Sequence, residues 1–355
     1  MTTPVRYAPN VETPAADEAE TFAALTAAMQ TISAITFKDE GRAIRAVHAK
    51  SQGLLTGELE VLDGLPPELA QGLFTTPARY RATVRLSTSP GDLIDDAIST
   101  PRGVSLKIHG VPGEQLSGNP ADNTQDFLMI DGPVFAAPNP KGFLGTVKLL
   151  AGTTDRAEGL KKVLSYVLQG LESAVEAVGG KSGTLIGLGG HPETNPLGAT
   201  YFTQVPVRYG DYIAKLALAP VGPELTALTD AMVDLSGKPD GLREAVSDHF
   251  ATSGATWELC VQLNTNLETM PVEDAAKEWP QADSPYVAVA RLTVAPQTSW
   301  GAAQVRAIDD GAAFSPWHGL VAHQPLGGVM RARKSVYATL QGERSQRNGC
   351  PFSQG

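Results

Sequence analysis

The chain has 355 residues, of which 42% are hydrophobic and 19% charged, with no polar tract long enough for a disordered half, so it can bury a substantial core. Its formal net charge of −10 argues against general attraction to nucleic-acid phosphates or anionic lipid. Met1 to Asn10 lack a basic-then-apolar leader pattern, and no run approaches the roughly 20 apolar residues that cross a bilayer. The expectation is a cytoplasmic protein with no nucleic-acid partner and no stable membrane insertion.

From Ala16 to Ile32, Phe22, Leu25, Met29 and Ile32 recur at helical spacing after an acidic first turn, which predicts a helical arm within residues 1–40. Between Arg42 and about Ile130 the chain breaks into short β-rich runs, ATVRLST, GVSLKIHG and DFLMI, separated by Gly, Pro, Asn and Asp. Alternation along RATVRLST puts Arg81, Thr83, Arg85 and Ser87 on one face and Ala82, Val84 and Leu86 on the other. If the apolar face meets the core, the polar face is solvated or lines a polar pocket. A second helix is predicted over Arg156–Val178, before the loop GGKSG.

Strand-like runs then resume as YFTQVPVRYGDYIAKLALAP, ATWELCVQLNTN and SPYVAVARLTVAP. One antiparallel barrel over 41–300, with a helical insertion near 155–180, accommodates both groups of strands. Residues 301–355 then form a wrapping segment, a helix beginning near Pro325 and continuing through GGVMRARKSVYATLQGER, and a tail. The predicted class is α+β in a single domain, 1–355.

The six histidines, at 48, 109, 191, 249, 318 and 323, show no convincing metal-ligand spacing. GLGGH at 187–191 lacks phosphate-loop spacing and reads as a loop. There is no GxSxG elbow for a serine nucleophile. Cys260, in an apolar strand, and Cys350, in the tail, suggest neither a disulfide framework nor a zinc site. His48 lies in RAIRAVHAKSQG among Arg42, Arg45 and Lys50; alone, such a histidine is more often a hydrogen-bonded core residue than a catalyst. Arg333 and Tyr337 are four apart, hence on one helical face, where a guanidinium can reach the phenol and favour its phenolate, a candidate metal ligand. From spacing alone an ordinary Arg–Tyr surface contact is the simpler reading.

Taken together these segments resemble the haem catalase superfamily, from about Arg42 to Arg344. The distal motif R-x-x-H-A-K-G is similar to Arg45-Ala46-Val47-His48-Ala49-Lys50-Ser51. R-F-S-T, whose serine lies 39 residues beyond that histidine, matches Arg85-Leu86-Ser87-Thr88, since 87 − 48 = 39. P-R-G matches Pro101-Arg102-Gly103, and N-N-T-P-V-F-F resembles Asp122 to Leu128, retaining Asn123. WELCVQ, Asp274 to Pro280, SPYVAVARLTV and Phe314-Ser315-Pro316 follow in the family's order. R-x-x-x-Y then matches Arg333 and Tyr337, with Arg344 seven residues on.

The resemblance implies a catalase-like antiparallel β-barrel with a helical insertion and a C-terminal haem-proximal helix, binding haem b (heme b) with its iron. Tyr337 would be the axial ligand, kept deprotonated by Arg333, and Arg45, Arg85 and Arg344 would hold the propionates. Val47 would border the cofactor. His48 would shuttle the peroxide proton, Ser87 would fix its tautomer, and Asn123 would orient the peroxide.

The implied substrate is hydrogen peroxide or an organic hydroperoxide, with a small electron donor in a peroxidase cycle and self-association into a homo-oligomer. The chain ends soon after the proximal helix and resembles short, divergent bacterial relatives, including catalase-related peroxidases and allene oxide synthases. Fatty-acid hydroperoxide rearrangement or peroxygenation is therefore an alternative, as is a non-catalytic haem-binding barrel. Val47 before the histidine matches catalases, whereas the allene oxide synthases carry threonine there.

Overall fold

The computed structural model describes residues 3–89, 91–153 and 192–349. The insertion helix expected over 156–178, the 187–191 loop with His191, and Cys350 lie outside the described residues. Among the described residues no helix is long and apolar enough to cross a membrane.

Helix α1, Glu18–Glu40, runs eight residues past the expected end at Ile32. The apolar stripe fades there because Ser33 and Thr36 occupy buried positions, and Thr36 Oγ1 returns a hydrogen bond to the Ile32 carbonyl at 3.2 Å. Gly41, at φ 66°, terminates the helix by donating its N–H to Phe37 O. Strands β1 (Lys50–Val61), β2 (Arg79–Thr88), β3 (Arg102–His109) and β4 (Thr124–Ile130) follow, and then helix α2 (Pro140–Thr153). Beyond residue 191 come β5 (Tyr201–Phe202), β6 (Val207–Tyr209), β7 (Tyr212–Pro220), α3 (Gly241–Thr252), β8 (Ala255–Leu263), β9 (Val287–Val294) and α4 (Gly328–Arg347). The sequence reading contained neither α2 nor α3; α3 is short, with Leu242, Val246 and Phe250 four apart as its buried stripe.

All strand pairings are antiparallel, in the order β5-β4-β3-β2-β1-β9-β8-β7-β6, and a further β5–β7 pairing closes eight strands into a barrel. Strands β1–β4 and β5–β9 thus complete one barrel, as expected for the two groups of strands. Ala82, Val84 and Leu86 point inward with Val104, Leu106, Ile108, Trp257 and Leu259, filling the interior with apolar side chains. The filled interior leaves the barrel's outer surface as the place for a candidate site.

Of the satellite clusters outside the barrel core among the described residues, two bear on the site. Leu54 packs with Ile308 and Phe314 of the wrapping segment. Leu25, Met29 and Ile32 of α1 pack with Val147 of α2 and Ala332 and Val336 of α4, and Val47 packs against this group. The start of α4 is tied down electrostatically: Glu12 and Glu273 accept the backbone N–H groups of Gly327 and Gly328, each at 2.8 Å. Arg331 bridges Glu12 and Glu273 and also pairs with Glu18 at 2.6 Å. One guanidinium thereby fixes α4 to α1, to the segment before α1 and to the connection between β8 and β9.

Candidate active site

On the outer face of the barrel, Ser87, Gly103 and Ile130 form a row across β2, β3 and β4 by direct register. The His48 imidazole lies on this row. A Cβ at Gly103 would stand 2.8 Å from His48 Cε1 and 2.9 Å from Nδ1, so any larger residue at 103 would displace the ring. His48 has φ 50°, a left-handed conformation costing a non-glycine residue on the order of 1 kcal/mol, which the surrounding packing sustains. Ser87 Oγ is 3.3 Å from His48 Nδ1 and 3.5 Å from Gly103 O. If the hydroxyl donates to that carbonyl, it accepts from Nδ1–H and leaves Nε2 as the ring's proton acceptor. Burial above all, then the positive charges of Arg85 and Arg333, push His48 down to about 4, with Asp131 opposing. The imidazole is neutral at physiological pH.

Beside this row three guanidiniums converge on one segment. Arg85, buried on β2, donates Nε to Asp309 Oδ1 at 2.7 Å and Nη2 to Ala49 O at 3.1 Å. Arg45 Nη2 donates to the carbonyls of Asp309 (3.0 Å) and Ala312 (2.8 Å), and its guanidinium covers the Phe314 ring. Arg344 Nη1 reaches down from α4 to the Asp309 carbonyl at 2.7 Å. Burial, then Arg344 and Arg85, push the Arg45 guanidinium well below its ordinary value.

The helix-borne pair behaves differently from its sequence expectation. Arg333 and Tyr337 share α4, but the Arg333 guanidinium lies over the Phe135 ring at 5.5 Å with Nη1 3.9 Å from Met330 Sδ, and it makes no hydrogen bond to the Tyr337 phenol among the described residues. Spacing put the two on one face; the aromatic surface offered by Phe135, whose ring lies tilted against Phe143 with centroids 4.8 Å apart, decides where the cation goes. Tyr337 is half-buried on α4, two turns before Arg344 on the same helix.

Asn123 is not at this site. It is exposed at the start of β4, beside the His109–Thr124 pair, whereas the His48 row crosses that strand at Ile130. Seven strand residues separate the two levels, about 23 Å. The family motif fits better eight residues later, where Gly132-Pro133-Val134-Phe135 supplies its P-V-F and the second asparagine falls at Asp131. Asp131 occupies the His48 end of β4, its Oδ1 accepting the Arg102 N–H at 3.0 Å. The length of the β3–β4 hairpin caused the misplacement, because composition does not set it.

The sequence reading also missed Asp309, Ser51, Ile130 and Phe135. Ile130 and Phe135 were recoverable from the P-V-F match. Lys50 of the distal motif proves structural: it is buried and paired with Asp96 at 2.9 Å and Asp240 at 3.0 Å.

Haem b can be tested against these residues. Arg45, Arg85, Arg344 and Asp309 carry a formal charge of +2 together, and Arg45 Nε is buried with no hydrogen-bond partner among the described residues. Forked donors with that excess suit a dicarboxylate, a neutral imidazole suits the reacting side, and a phenol on a rigid helix is a competent iron donor. The residues fit the group.

No protein-family model matches the chain, and neither does any curated protein. Among solved structures it is similar to a fungal catalase (TM-score 0.62, 20% identity, covering 91% of this chain and 62% of that one). It is also similar to catalase A from Saccharomyces cerevisiae (0.60, 16%, 90% and 66%) and to a bacterial catalase (0.60, 15%, 90% and 60%). The fold is catalase-like, and the chain spans under two thirds of the length of these structures.

Proposed function

We propose that this chain binds one haem b between the outer face of the barrel and α4 and turns over a peroxide there, as a catalase or peroxidase. The observation that carries the reading is the convergence of Arg45, Arg85 and Arg344 beside a neutral His48 whose tautomer Ser87 can set. Bound haem supplies an iron that polarises the peroxide O–O bond. The arginines would hold its propionates, and Tyr337 would hold the metal. Val47, packed against the helical cluster, would close the pocket beside the histidine.

His48 Nε2 would accept the proton from one peroxide oxygen and return it to the departing oxygen. Its low proton affinity keeps the ring able to accept across the physiological range. Hydrogen peroxide is the first substrate to test, with Val47 as its sequence support. Ile130, in direct register with Gly103 beneath the imidazole, favours organic hydroperoxides as a second reading, because it adds an apolar wall where an amide could otherwise steer a small polar peroxide.

Hemin titration of the purified chain tests the reading. A stoichiometric Soret band, changed in position by Tyr337→Phe, and oxygen release from hydrogen peroxide abolished by His48→Ala are expected. A hemin-loaded chain inert to hydrogen peroxide and to lipid hydroperoxide, read by loss of diene absorbance, rejects the enzyme. A spectrum indifferent to Tyr337→Phe rejects the ligand.

A further inference from the structure

Asp309 has no part in the roles assigned above, yet every arginine of the cluster touches it. Arg85 Nε donates to its Oδ1 at 2.7 Å, with Arg45 Nε 3.9 Å from the same oxygen, and Ser51 Oγ donates to its Oδ2. Its backbone carbonyl accepts from Arg45 Nη2 at 3.0 Å and from Arg344 Nη1 at 2.7 Å. One residue thus uses both of its acceptor groups on three guanidiniums that come from the segment before β1, from β2 and from α4. Asp309 is presented by a π-helical turn, Val305–Asp310, whose wider winding is a local departure from ordinary helix. Burial pushes its carboxyl up, but Arg85, Arg45 and the Ser51 hydroxyl outweigh burial and hold it below the ordinary aspartate value. It is an anion at any working pH. The adjacent Asp310 pairs instead with Arg42 near the surface at 3.2 Å.

We propose that Asp309 is a built-in competitor for the arginine cluster: its carboxylate takes up guanidinium donors that the carboxylates of a bound tetrapyrrole would use, and it keeps the cluster neutralised and ordered when no such ligand is bound. The inference rests on the haem reading above. It follows that the chain's own anion sets how tightly the cofactor is held. Removing that charge raises the formal charge of the four-residue group from +2 to +3, which strengthens attraction for a dianion. It also deprives Arg85, 2% exposed, of its direct counter-ion in the cofactor-free protein.

The test compares the chain with Asp309→Asn, and with Asp310→Asn as a charge control, by hemin titration and by thermal melting without hemin. Asp309→Asn should tighten hemin binding about tenfold or more, because the interaction of one unit charge with a carboxylate a few ångströms away lies between its fully hydrated value and the larger value near a protein surface, and should lower the cofactor-free Tm by several degrees. Asp310→Asn should change neither. With hemin dimethyl ester, whose carboxylates are capped, the gain in affinity should vanish. Weaker or unchanged hemin binding by Asp309→Asn, or an equal gain with the ester, overturns the proposal.

A second arm needs no haem: Asp309→Ala leaves room for acetate, which should restore its Tm while leaving the parent chain's Tm unchanged. If the parent binds no hemin, the functional reading fails, and this arm still decides whether Asp309 is the cluster's carboxylate; no rescue by acetate rejects it. Should the Asp309 variants not fold, Ser51→Ala, which only loosens the carboxylate, should shift affinity and Tm in the same directions by smaller amounts, and opposite shifts overturn the proposal.

Discussion

Along β2, Ala82, Val84 and Leu86 enter a barrel interior whose polar groups are few and neutral, while Arg85 and Ser87 leave the opposite face into a cluster of charges. The interior groups bond to backbone: the Tyr209 hydroxyl donates to Leu69 O at 2.7 Å, the Tyr201 hydroxyl to Pro196 O at 2.7 Å, and His323 Nε2 accepts the Leu73 N–H at 3.0 Å, while His323 Nδ1 is buried with no hydrogen-bond partner among the described residues. On the outer face Arg85 pairs instead with the side chain of Asp309, 224 residues away. The same strand therefore carries two kinds of stability. One is non-directional and depends on volume; the other is a set of directed ionic contacts that a carboxylate ligand can join.

Substitutions on the two faces should separate these contributions. Arg85→Met should be the most severe, about 4 kcal/mol in urea unfolding, because it leaves the largely buried Asp309 carboxylate without its direct cation. Adding Asp309→Asn should return a large part of that loss. Leu86→Ala, at a position 1% exposed, should cost about 3 kcal/mol through transfer and cavity terms. It should leave hemin affinity within twofold, whereas Arg85→Met should abolish tight hemin binding. If Leu86→Ala weakened hemin binding as much as Arg85→Met, the two faces would not be independent.

Acid unfolding probes the interior separately. Burial first of all pushes His323 down to about 4 in the folded chain, against about 6.5 for an unfolded histidine. Between those values the unfolded state binds the extra proton, so stability falls as pH drops from about 6.5 to about 4, by at most ~3 kcal/mol from this residue. His323→Gln, which keeps an acceptor for Leu73 N–H and cannot titrate, should flatten that limb in urea midpoints measured across the range. His48 is depressed to the same value and contributes with the same sign, so a slope should remain.

What could be read from the sequence follows the same division. The alternation in RATVRLST assigns both faces of β2 correctly, because a period of two is a local property. Arg45, His48, Arg85 and Ser87 are marked by short motifs; β2 carries Arg85 and Ser87 to the site, and Arg45 and His48 lie in the segment just before β1. Asp309 was invisible: its partner Arg85 is 224 residues away, and AIDDGAAF has no periodicity to mark it. Asn123 was misplaced because nothing in the sequence fixes the length of the hairpin before β4. The i,i+4 spacing of Arg333 and Tyr337 gave the correct helical face yet could not reveal Phe135, which draws the guanidinium away.

The smallest change in stability should come with a selective change in chemistry. Ser87→Ala removes a hydroxyl 3.3 Å from His48 Nδ1 and 3.5 Å from a carbonyl, and at such distances the bonds are long and contribute well under 1 kcal/mol to folding. Their effect is on which nitrogen carries the proton. Without the serine, Nδ1–H loses its acceptor, the tautomer carrying the proton on Nε2 gains population, and a ring in that state cannot accept a proton from a peroxide. Peroxide turnover by the hemin-loaded chain should fall about tenfold with hemin affinity unchanged. Ser87→Thr, which keeps the hydroxyl, should retain most of the rate. Equal loss in both variants would mean that the serine supports the packing of the ring on Gly103 and leaves its protonation alone.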